Sequence, residues 1–423
     1  MSDALLSELL ERLRQGNRYE DVIAEAERLT GDLPEHERDL IFFSLNAVIS
    51  GLDPQEHVES PRQPDLTLYM DDIEGEVRAD SPPRLFNHNR RPRGVLKQTT
   101  VKALNTVRDE IHNLFYADLT PSEIQEALVI LGRQVRDLLP ELTLHMIDDP
   151  RLKRLDLQLA PELDFPIELC WIENEGFLCD KVEISRWYTD GNGLFEDQTI
   201  AVDGVALVEG DLTHGFAKEE QAVLTAIPNG RHAKVRSSNK VKSQVFARSD
   251  HRLMHYKGHI GKSRWRQDDL QDVVERIPPR LSMAEGRSLK MSEIGAMDNQ
   301  RKFFEKQPVV VLNGCDGALR TEFIGGESSF PRHLQGLRAA VIVATNWQVS
   351  ETPASEFSAA FYSALMQSNR VTTAIKHARE VLLKEAWKFK EAKSSVEFRK
   401  YYLTAYGYVY YGPSDLGIDF EGK

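Results

Sequence analysis

The spacing of hydrophobic residues changes along the chain and separates an N-terminal part from the rest. Over residues 1–55 leucines recur at helical spacing from Leu5 and Leu9, and the pattern resumes after Gly16. This spacing predicts a helical hairpin followed by a third helix. A lone tetratricopeptide-type unit would lack the neighbouring repeats that bury its faces, so an ordinary hairpin is favoured.

Residues 56–100 lose this period and gather prolines together with a basic cluster that includes Arg84, Arg90 and Arg91. Such composition is typical of a linker or an irregular surface segment. The basic cluster is read as a solvated loop, with a partner patch or a protease-sensitive site as the alternatives.

Regular patterns return over 101–423. Helical periods cover 101–115 and 121–139, and Pro121 suits a first helical turn. Short strand-like runs follow at 155–159, 165–170, 177–179 and 182–187.

The last half alternates strand-like and helical segments. The strand-like runs are 205–208, 232–236, 252–257, 309–312 and 339–345, and the helical ones are 217–226, 238–248, 352–367 and 371–386. Alternation of this kind predicts an α/β fold whose mainly parallel sheet has helices on both faces. The region 101–423 is therefore divided into an N-terminal part, 101–200, and a second part, 201–423.

Two of these apolar runs end in residues that can carry chemistry. The run from Val309 ends in Gly314 and Cys315, and the run from Leu253 ends in Gly258 and His259. Ligands bind beyond the carboxyl ends of strands in open α/β sheets, so the two side chains are expected at one edge. His259 lies 56 positions before Cys315 (315 minus 259), close to the spacing found in caspases.

This pair predicts acyl transfer through a thioester. A thiolate is the nucleophilic form of cysteine, and a nearby histidine can take its proton and later protonate the leaving amine. Backbone N–H groups of Gly258, Ile260 and Cys315 are the candidate oxyanion hole. The plainer alternative makes Cys315 a core cysteine, as Cys170 and Cys179 are expected to be.

Composition narrows the class of partner. A net charge of −13 disfavours binding to nucleic acid. Three cysteines, an odd number without C-x-x-C spacing, favour a reducing compartment over a disulfide framework. With no leader pattern and no long apolar segment, the sequence predicts a cytoplasmic protein without a membrane partner.

Neither a metal nor a cofactor is expected. His255 and His259 are four residues apart, but Gly258 and the strand-type flanks do not suit a helical H-E-x-x-H site, whose glutamate is also missing. No phosphate-binding glycine loop is found. His255 is read as a core residue or as one that supports the site.

The ordered motifs resemble the CHAT family of caspase-like and separase-like cysteine peptidases. They are Val205–Val208 with Glu219 and Glu220, Leu253–His259, Val309–Cys315, Ala340–Val349, Phe165–Leu169, Phe361–Leu365 and Tyr410–Pro413. The resemblance covers about 110–415 and implies a caspase-like fold with His259 and Cys315 as catalytic dyad. The part 101–200 would then be a pseudo-caspase-like unit and 201–423 the catalytic one. One departure is Ile260, which stands where the family usually has glycine.

The resemblance also implies a specificity pocket. Separase-like relatives place an acidic residue after the tryptophan strand, facing a basic P1 side chain, and Glu351 falls at the similar position after Trp347. Asp316 is the other candidate for the acidic residue, and Trp347 is expected to contact the substrate as well. The plainer interpretation of Glu351 is a first-turn acid stabilised by the dipole of the following helix.

The sequence thus predicts a cysteine endopeptidase acting on a protein substrate, with the N-terminal helices docking a regulatory protein. Ordering of the polar segments 262–300 and 316–330 by a partner or by cleavage is the predicted switch. Resemblance adds a role in bacterial defence or cell death. The alternatives are a catalytically silent protein-binding scaffold, favoured by Ile260, and a cysteine-dependent acyltransferase.

Overall fold

The computed structural model describes most of the chain from residue 64 onward. The described residues are 64–70, 76–80, 93–96, 100–160, 165–188, 199–211, 217–227, 231–246, 251–261, 280–285, 288–291, 293, 294, 296, 307–315, 321–323, 326–413 and 416–420, with positions 22, 25, 26, 28 and 29.

One eleven-stranded sheet forms the centre of the described structure. Its strands are β1 (Leu66–Met70), β2 (Glu76–Asp80), β3 (Arg93–Val95), β4 (Arg154–Leu159), β7 (Glu183–Tyr188), β9 (Gly204–Glu209), β10 (Arg231–Val235), β11 (Leu253–Lys257), β15 (Val309–Asn313), β18 (Val341–Thr345) and β19 (Tyr408–Tyr411). They lie in the order β10-β9-β11-β15-β18-β19-β7-β4-β1-β2-β3.

Most neighbouring strands are parallel. The antiparallel pairs are β18 with β19, β1 with β2, and β2 with β3. Every residue of β11, β15 and β18 is buried. Both faces of the sheet are covered there, which is why these strands read as continuous apolar runs rather than alternating ones.

The remaining strands form small sheets at the rim. They are β5 (Trp171–Ile172), β6 (Gly176–Phe177), β8 (Thr199–Val202), β12 (Ile260–Gly261), β13 (Arg280–Leu281), β14 (Leu289–Lys290), β16 (Thr321–Phe323), β17 (Gly326–Ser328) and β20 (Gly417–Phe420). The pairings are β5 with β6, β8 with β20, β16 with β17, and β12-β13-β14.

Ten helical segments are described, two of them only a turn long. They are α1 (Thr100–Leu114), α2 (Pro121–Asp137), α3 (Glu141–Ile147), α4 (Leu178–Lys181), α5 (Ala217–Ala226), α6 (Ser238–Lys240), α7 (Phe330–Gly336), α8 (Glu351–Ser368), α9 (Val371–Glu391) and α10 (Ser395–Ala405). A π-helical turn, Val241–Phe246, continues α6. α8 packs against α5 and α9, and α9 also contacts β7, β19 and α10.

Local sequence explains where α2 begins. The Glu123 N–H donates to the Thr120 hydroxyl, and the Thr120 N–H donates to the Glu123 carboxylate at 2.7 Å, with Pro121 in the first turn. This reciprocal cap satisfies two donors that a helix start leaves without partners. None of the described helices is long and apolar enough to cross a membrane.

The predicted α/β architecture with a mainly parallel, doubly covered sheet is confirmed. The helices predicted at 101–115, 121–139, 217–226, 352–367 and 371–386 are present, with slightly shifted ends. The N-terminal helices predicted over 1–55 lie outside the described residues apart from isolated positions.

Several local predictions need correction. The run 165–170 forms a 3₁₀ turn, Ile167–Leu169, instead of a strand, and residues 178–179 belong to α4. Within the predicted linker 56–100, β1, β2 and β3 extend the main sheet. Gly326–Ser328, predicted as loop, is one strand of a hairpin. Three helices, α3, α7 and α10, were not predicted.

A buried ion pair holds the 3₁₀ turn against the sheet. The Arg186 Nε on β7 donates to Glu168 at 2.7 Å, and its Nη2 contacts the second carboxylate oxygen. The side chains are 0% and 3% exposed. The pair therefore fixes the turn against β7, because either charge left unpaired at that depth would be strongly destabilising.

Replacing Glu168 by alanine is expected to lower the free energy of unfolding by about 3–5 kcal/mol, since it leaves Arg186 buried and unpaired. The measurement is urea denaturation followed by circular dichroism. Glu173→Ala, which breaks the exposed Arg133–Glu173 pair at 3.0 Å, is the matched control and should leave the midpoint unchanged. Equal midpoints for Glu168→Ala and wild type would show that the pair is unimportant.

Candidate active site

Two neighbouring parallel strands carry the predicted dyad. β11 and β15 pair in a register that joins Leu253 to Val309 and Lys257 to Asn313. His259 and Cys315 each stand two residues beyond that last pair. Because adjacent strands lie about 5 Å apart, this register brings both residues to the same edge of the sheet.

The two strand ends touch through their backbones. The Gly258 N–H donates to the Asn313 carbonyl at 3.3 Å. A Cβ placed on Gly314 would lie 2.3 Å from the Gly258 oxygen and 2.9 Å from the Ile260 Cγ1. We call Gly258–Ile260 the histidine turn. Any residue other than glycine at position 314 would push this turn away.

The backbone of His259 is fixed, whereas its imidazole is exposed to solvent. The Tyr256 hydroxyl, 2.7 Å from the His259 carbonyl and 2.9 Å from the Ser282 carbonyl, shares its hydrogen between them. The Ser282 N–H also donates to the His259 carbonyl at 3.0 Å. Burial raises the pKa of Tyr256 well above its usual value, so its hydroxyl remains a donor.

Cys315 is half-buried, and its thiol faces the segment that follows β18. The Sγ donates to the Val349 carbonyl at 3.4 Å. One residue earlier in the chain, the Gly314 carbonyl accepts a hydrogen bond from the buried Thr345 hydroxyl. Since the C=O and N–H of a trans peptide point in opposite directions, the Cys315 N–H points away from Thr345.

A layer of buried polar side chains lies beneath the two strand ends. We call it the buried polar cluster, and its members are Glu219, His255, Asn313, Ser358, Tyr362 and Tyr408. His255 belongs to this cluster rather than to the exposed edge, in agreement with its prediction as a core or supporting residue.

The predicted specificity residues lie at different depths. Trp347 is 2% exposed and its indole N–H donates to the Leu403 carbonyl at 3.0 Å, so it packs beneath the edge. Its role as a substrate contact stays a prediction. Glu351 is exposed at the first position of α8, as the helix-dipole interpretation predicts. Asp316 lies outside the described residues.

Ile260 takes part in the rim sheet. It pairs with Leu281 of β13 and is 3% exposed. Its side chain packs against Gly314, which explains how a larger residue is accommodated where a glycine is usual.

Three residues that support the candidate active site were not predicted from the sequence. Tyr256 and Thr345 bind carbonyls next to His259 and Cys315, but each looks like an ordinary member of an apolar strand. Tyr116, between α1 and α2, is 67% exposed, and its hydroxyl donates to the Gln348 side chain at 2.8 Å. Gln348 lies in the segment that follows β18, two residues after Asn346. Only the fold brings Tyr116 to this edge, since 232 positions separate it from Gln348.

The fold is similar to that of separase. The Saccharomyces cerevisiae separase–securin complex matches at TM-score 0.53 with 11% identity over 93% of this chain and 33% of that chain. A second structure of the same complex matches at TM-score 0.50 with 12% identity over 91% of this chain and 34% of that chain. The Porphyromonas gingivalis RgpB pro- and mature-domain complex matches at TM-score 0.38 with 10% identity over 76% of this chain and 78% of that chain. The chain spans about a third of the separase chains it matches.

This architecture is the caspase-like fold. Residues 207–398 match the model of the CHAT domain family. No curated protein sequence matches the chain.

The three cysteines are expected to differ sharply in reactivity. Burial raises the pKa of Cys170 to about 12 and that of Cys179 well above its usual value, so both remain thiols at about pH 8. Iodoacetamide should then label Cys315 alone in the native protein, read by peptide mass spectrometry. All three should be labelled in denaturant, and native labelling of Cys179 would contradict this burial.

Proposed function

We propose that the protein is a caspase-like cysteine endopeptidase with His259 as base and Cys315 as nucleophile. The observation that carries this proposal is the equivalent position of the two residues, each two beyond the paired ends of β11 and β15 in the region that matches the CHAT domain family. A half-buried thiol and a solvent-exposed imidazole suit the two roles, because substrate must reach both.

The reaction follows from the chemistry of these groups. His259 takes the thiol proton, and the Cys315 sulfur attacks the scissile carbonyl to form a tetrahedral intermediate. His259 returns the proton to the leaving amine as the C–N bond breaks, which leaves a thioester. Water, deprotonated by the same imidazole, then hydrolyses the thioester and releases the acid product.

The oxyanion of each tetrahedral intermediate needs fixed donors. The Cys315 N–H is the first candidate, because the Thr345 bond to Gly314 orients that peptide. The backbone N–H of Ile260 is the second candidate, whereas the Gly258 N–H, also predicted from the sequence, already donates to the Asn313 carbonyl at 3.3 Å. Their turn is held by Tyr256 and by the pairing of β12 with β13, so reorganisation during the reaction would be small.

The proposed specificity is for substrates with a basic residue at P1. Glu351 is exposed one residue after Ser350 in the segment that holds the thiol, and Asp211 is exposed beside the turn that carries His259. Gly210, which precedes Asp211, packs against Gly258. Carboxylates around a cleft attract arginine or lysine side chains, and Asp316 is a further candidate.

The substrate class, the compartment, the partners and the cellular role of the protein are proposals as well. The substrate is a protein, cleavage takes place in the cytoplasm, and the N-terminal helices receive a regulatory protein. A role in bacterial antiviral defence or cell death follows from the resemblance to CHAT peptidases. Neither nucleic acid nor membrane is a proposed partner.

Cys315→Ala and His259→Ala are each expected to reduce cleavage of a mixed peptide library by at least about 1,000-fold, since each removes an atom that forms or breaks bonds. Fragments are sequenced by mass spectrometry. Cys170→Ala is the matched control and should retain activity. Binding of a partner without cutting by wild type would favour the scaffold, and peptide joining without hydrolysis the acyltransferase.

Glu351→Lys is expected to lower cleavage after arginine and lysine by about 10-fold or more, because it reverses the charge at the proposed P1 contact. A P1 scan of a peptide series measures the change. Glu380→Lys, at an exposed site on α9, provides the control. An unchanged P1 profile in Glu351→Lys would remove this residue from the specificity pocket.

A further inference from the structure

The buried polar cluster connects the two strands that carry the proposed dyad. Glu219 on α5 is fully buried, and its Oε1 accepts from His255 Nε2 at 2.5 Å and from Asn313 Nδ2 at 2.7 Å. His255 lies on β11 and Asn313 on β15. One carboxylate oxygen therefore bridges both strands. Its partner His255 lies four residues before His259, and its partner Asn313 lies two residues before Cys315.

Further bonds fix the carboxylate and its two partners. The Ser358 hydroxyl on α8 donates to the same oxygen at 3.0 Å, and Asn313 Nδ2 also contacts the Ala354 carbonyl at 3.1 Å. On the other side, Tyr408 donates to Asn313 Oδ1 at 2.6 Å. Because a carboxylate only accepts, these contacts determine which end of the Asn313 amide faces Glu219.

The two partners of His255 determine which ring nitrogen carries the hydrogen in the neutral imidazole. Nε2 carries a proton toward the carboxylate, and Nδ1 lies 2.9 Å from the Tyr362 hydroxyl, which donates to it in the neutral imidazole. Burial and the charge of Glu219 raise the pKa of Tyr362 and Tyr408 well above their usual values, so both remain neutral donors. Lys257 and Glu220, the charged neighbours on β11 and α5, pair with each other at 3.6 Å.

This arrangement is poorly suited to stability alone. Glu219 Oε2 is buried and has no hydrogen-bond partner among the described residues. A buried oxygen without a partner is unfavourable by about 1–3 kcal/mol, and apolar side chains of similar volume often stabilise a core better than buried charges do. What the carboxylate adds to the backbone pairing is a side-chain link that holds the ends of both strands against α5.

We propose that Glu219 is a positioning residue that sets the separation of His259 and Cys315 by joining β11 to β15. This role rests on the proposed function, because it concerns the same dyad. The carboxylate touches neither substrate nor reacting atoms. It acts through His255 and Asn313, whose strands lead directly into the two catalytic turns.

The test compares Glu219→Leu, which has similar volume but no acceptor, with Glu219→Gln, which keeps an oxygen. Glu220→Gln, the next residue on α5, is the matched control with a partly exposed side chain. The readout is the pH midpoint of Cys315 carboxamidomethylation in the full chain, together with kcat and KM for a cleaved peptide.

A correctly placed histidine lowers the midpoint by about one pH unit or more relative to His259→Ala. Glu219→Leu is expected to have the midpoint of His259→Ala and about 100-fold lower kcat with little change in KM, because misplacement of reacting groups by about 1 Å has that effect. Glu219→Gln should stay within about 10-fold of wild type in kcat because its oxygen can still accept. The double variant Glu219→Leu/His259→Ala should show no further shift.

A wild-type midpoint in Glu219→Leu, or an additive shift in the double variant, would overturn the positioning role while leaving the dyad intact. Equal midpoints for wild type and His259→Ala would instead overturn the proposed function and this role with it. If Glu219→Leu fails to fold, Asn313→Ala cuts the same link from β15 and is expected to give the same midpoint and kcat.

Discussion

The parallel register of β11 and β15 is the constraint on which the site depends. Paired residues of parallel strands point to the same face, so the pairing of Lys257 with Asn313 directs Asn313 and His255 toward the helices α5 and α8. The same register sends Tyr256 to the opposite face, where it binds the His259 carbonyl. A slip by one residue would exchange these faces and separate both supporting networks from the strand ends.

The central strands could be predicted because burial on both faces leaves a local signature. Val309–Asn313 and Val341–Thr345 are continuous apolar runs, and their polar ends mark the edge where ligands bind. β1 has the same five-residue length, but its positions alternate between buried and half-buried and it lies near prolines, so its strand character depends on pairing with β4 far along the chain. Composition alone therefore indicated a linker there.

The burial of individual side chains was the property hardest to predict from the sequence. Trp347 and Glu351 are four positions apart, yet one is a core side chain and the other is exposed. The 3₁₀ turn at Ile167–Leu169 carries Glu168, which pairs with Arg186, and this pairing between distant residues cannot be read from the apolar run itself. Pairings between distant side chains, rather than local propensity, decide such positions.

The place of β19 in the sheet has a consequence for synthesis of the protein. Tyr408–Tyr411 lies between β18 and β7, with five strands on one side and five on the other. This strand is translated after every other strand of the sheet. Until it emerges from the ribosome, the nascent chain holds two separate sheets with β18 and β7 as open edges, which are templates for wrong pairing. A message truncated before codon 408 would therefore yield an aggregation-prone polypeptide rather than a shortened but compact one.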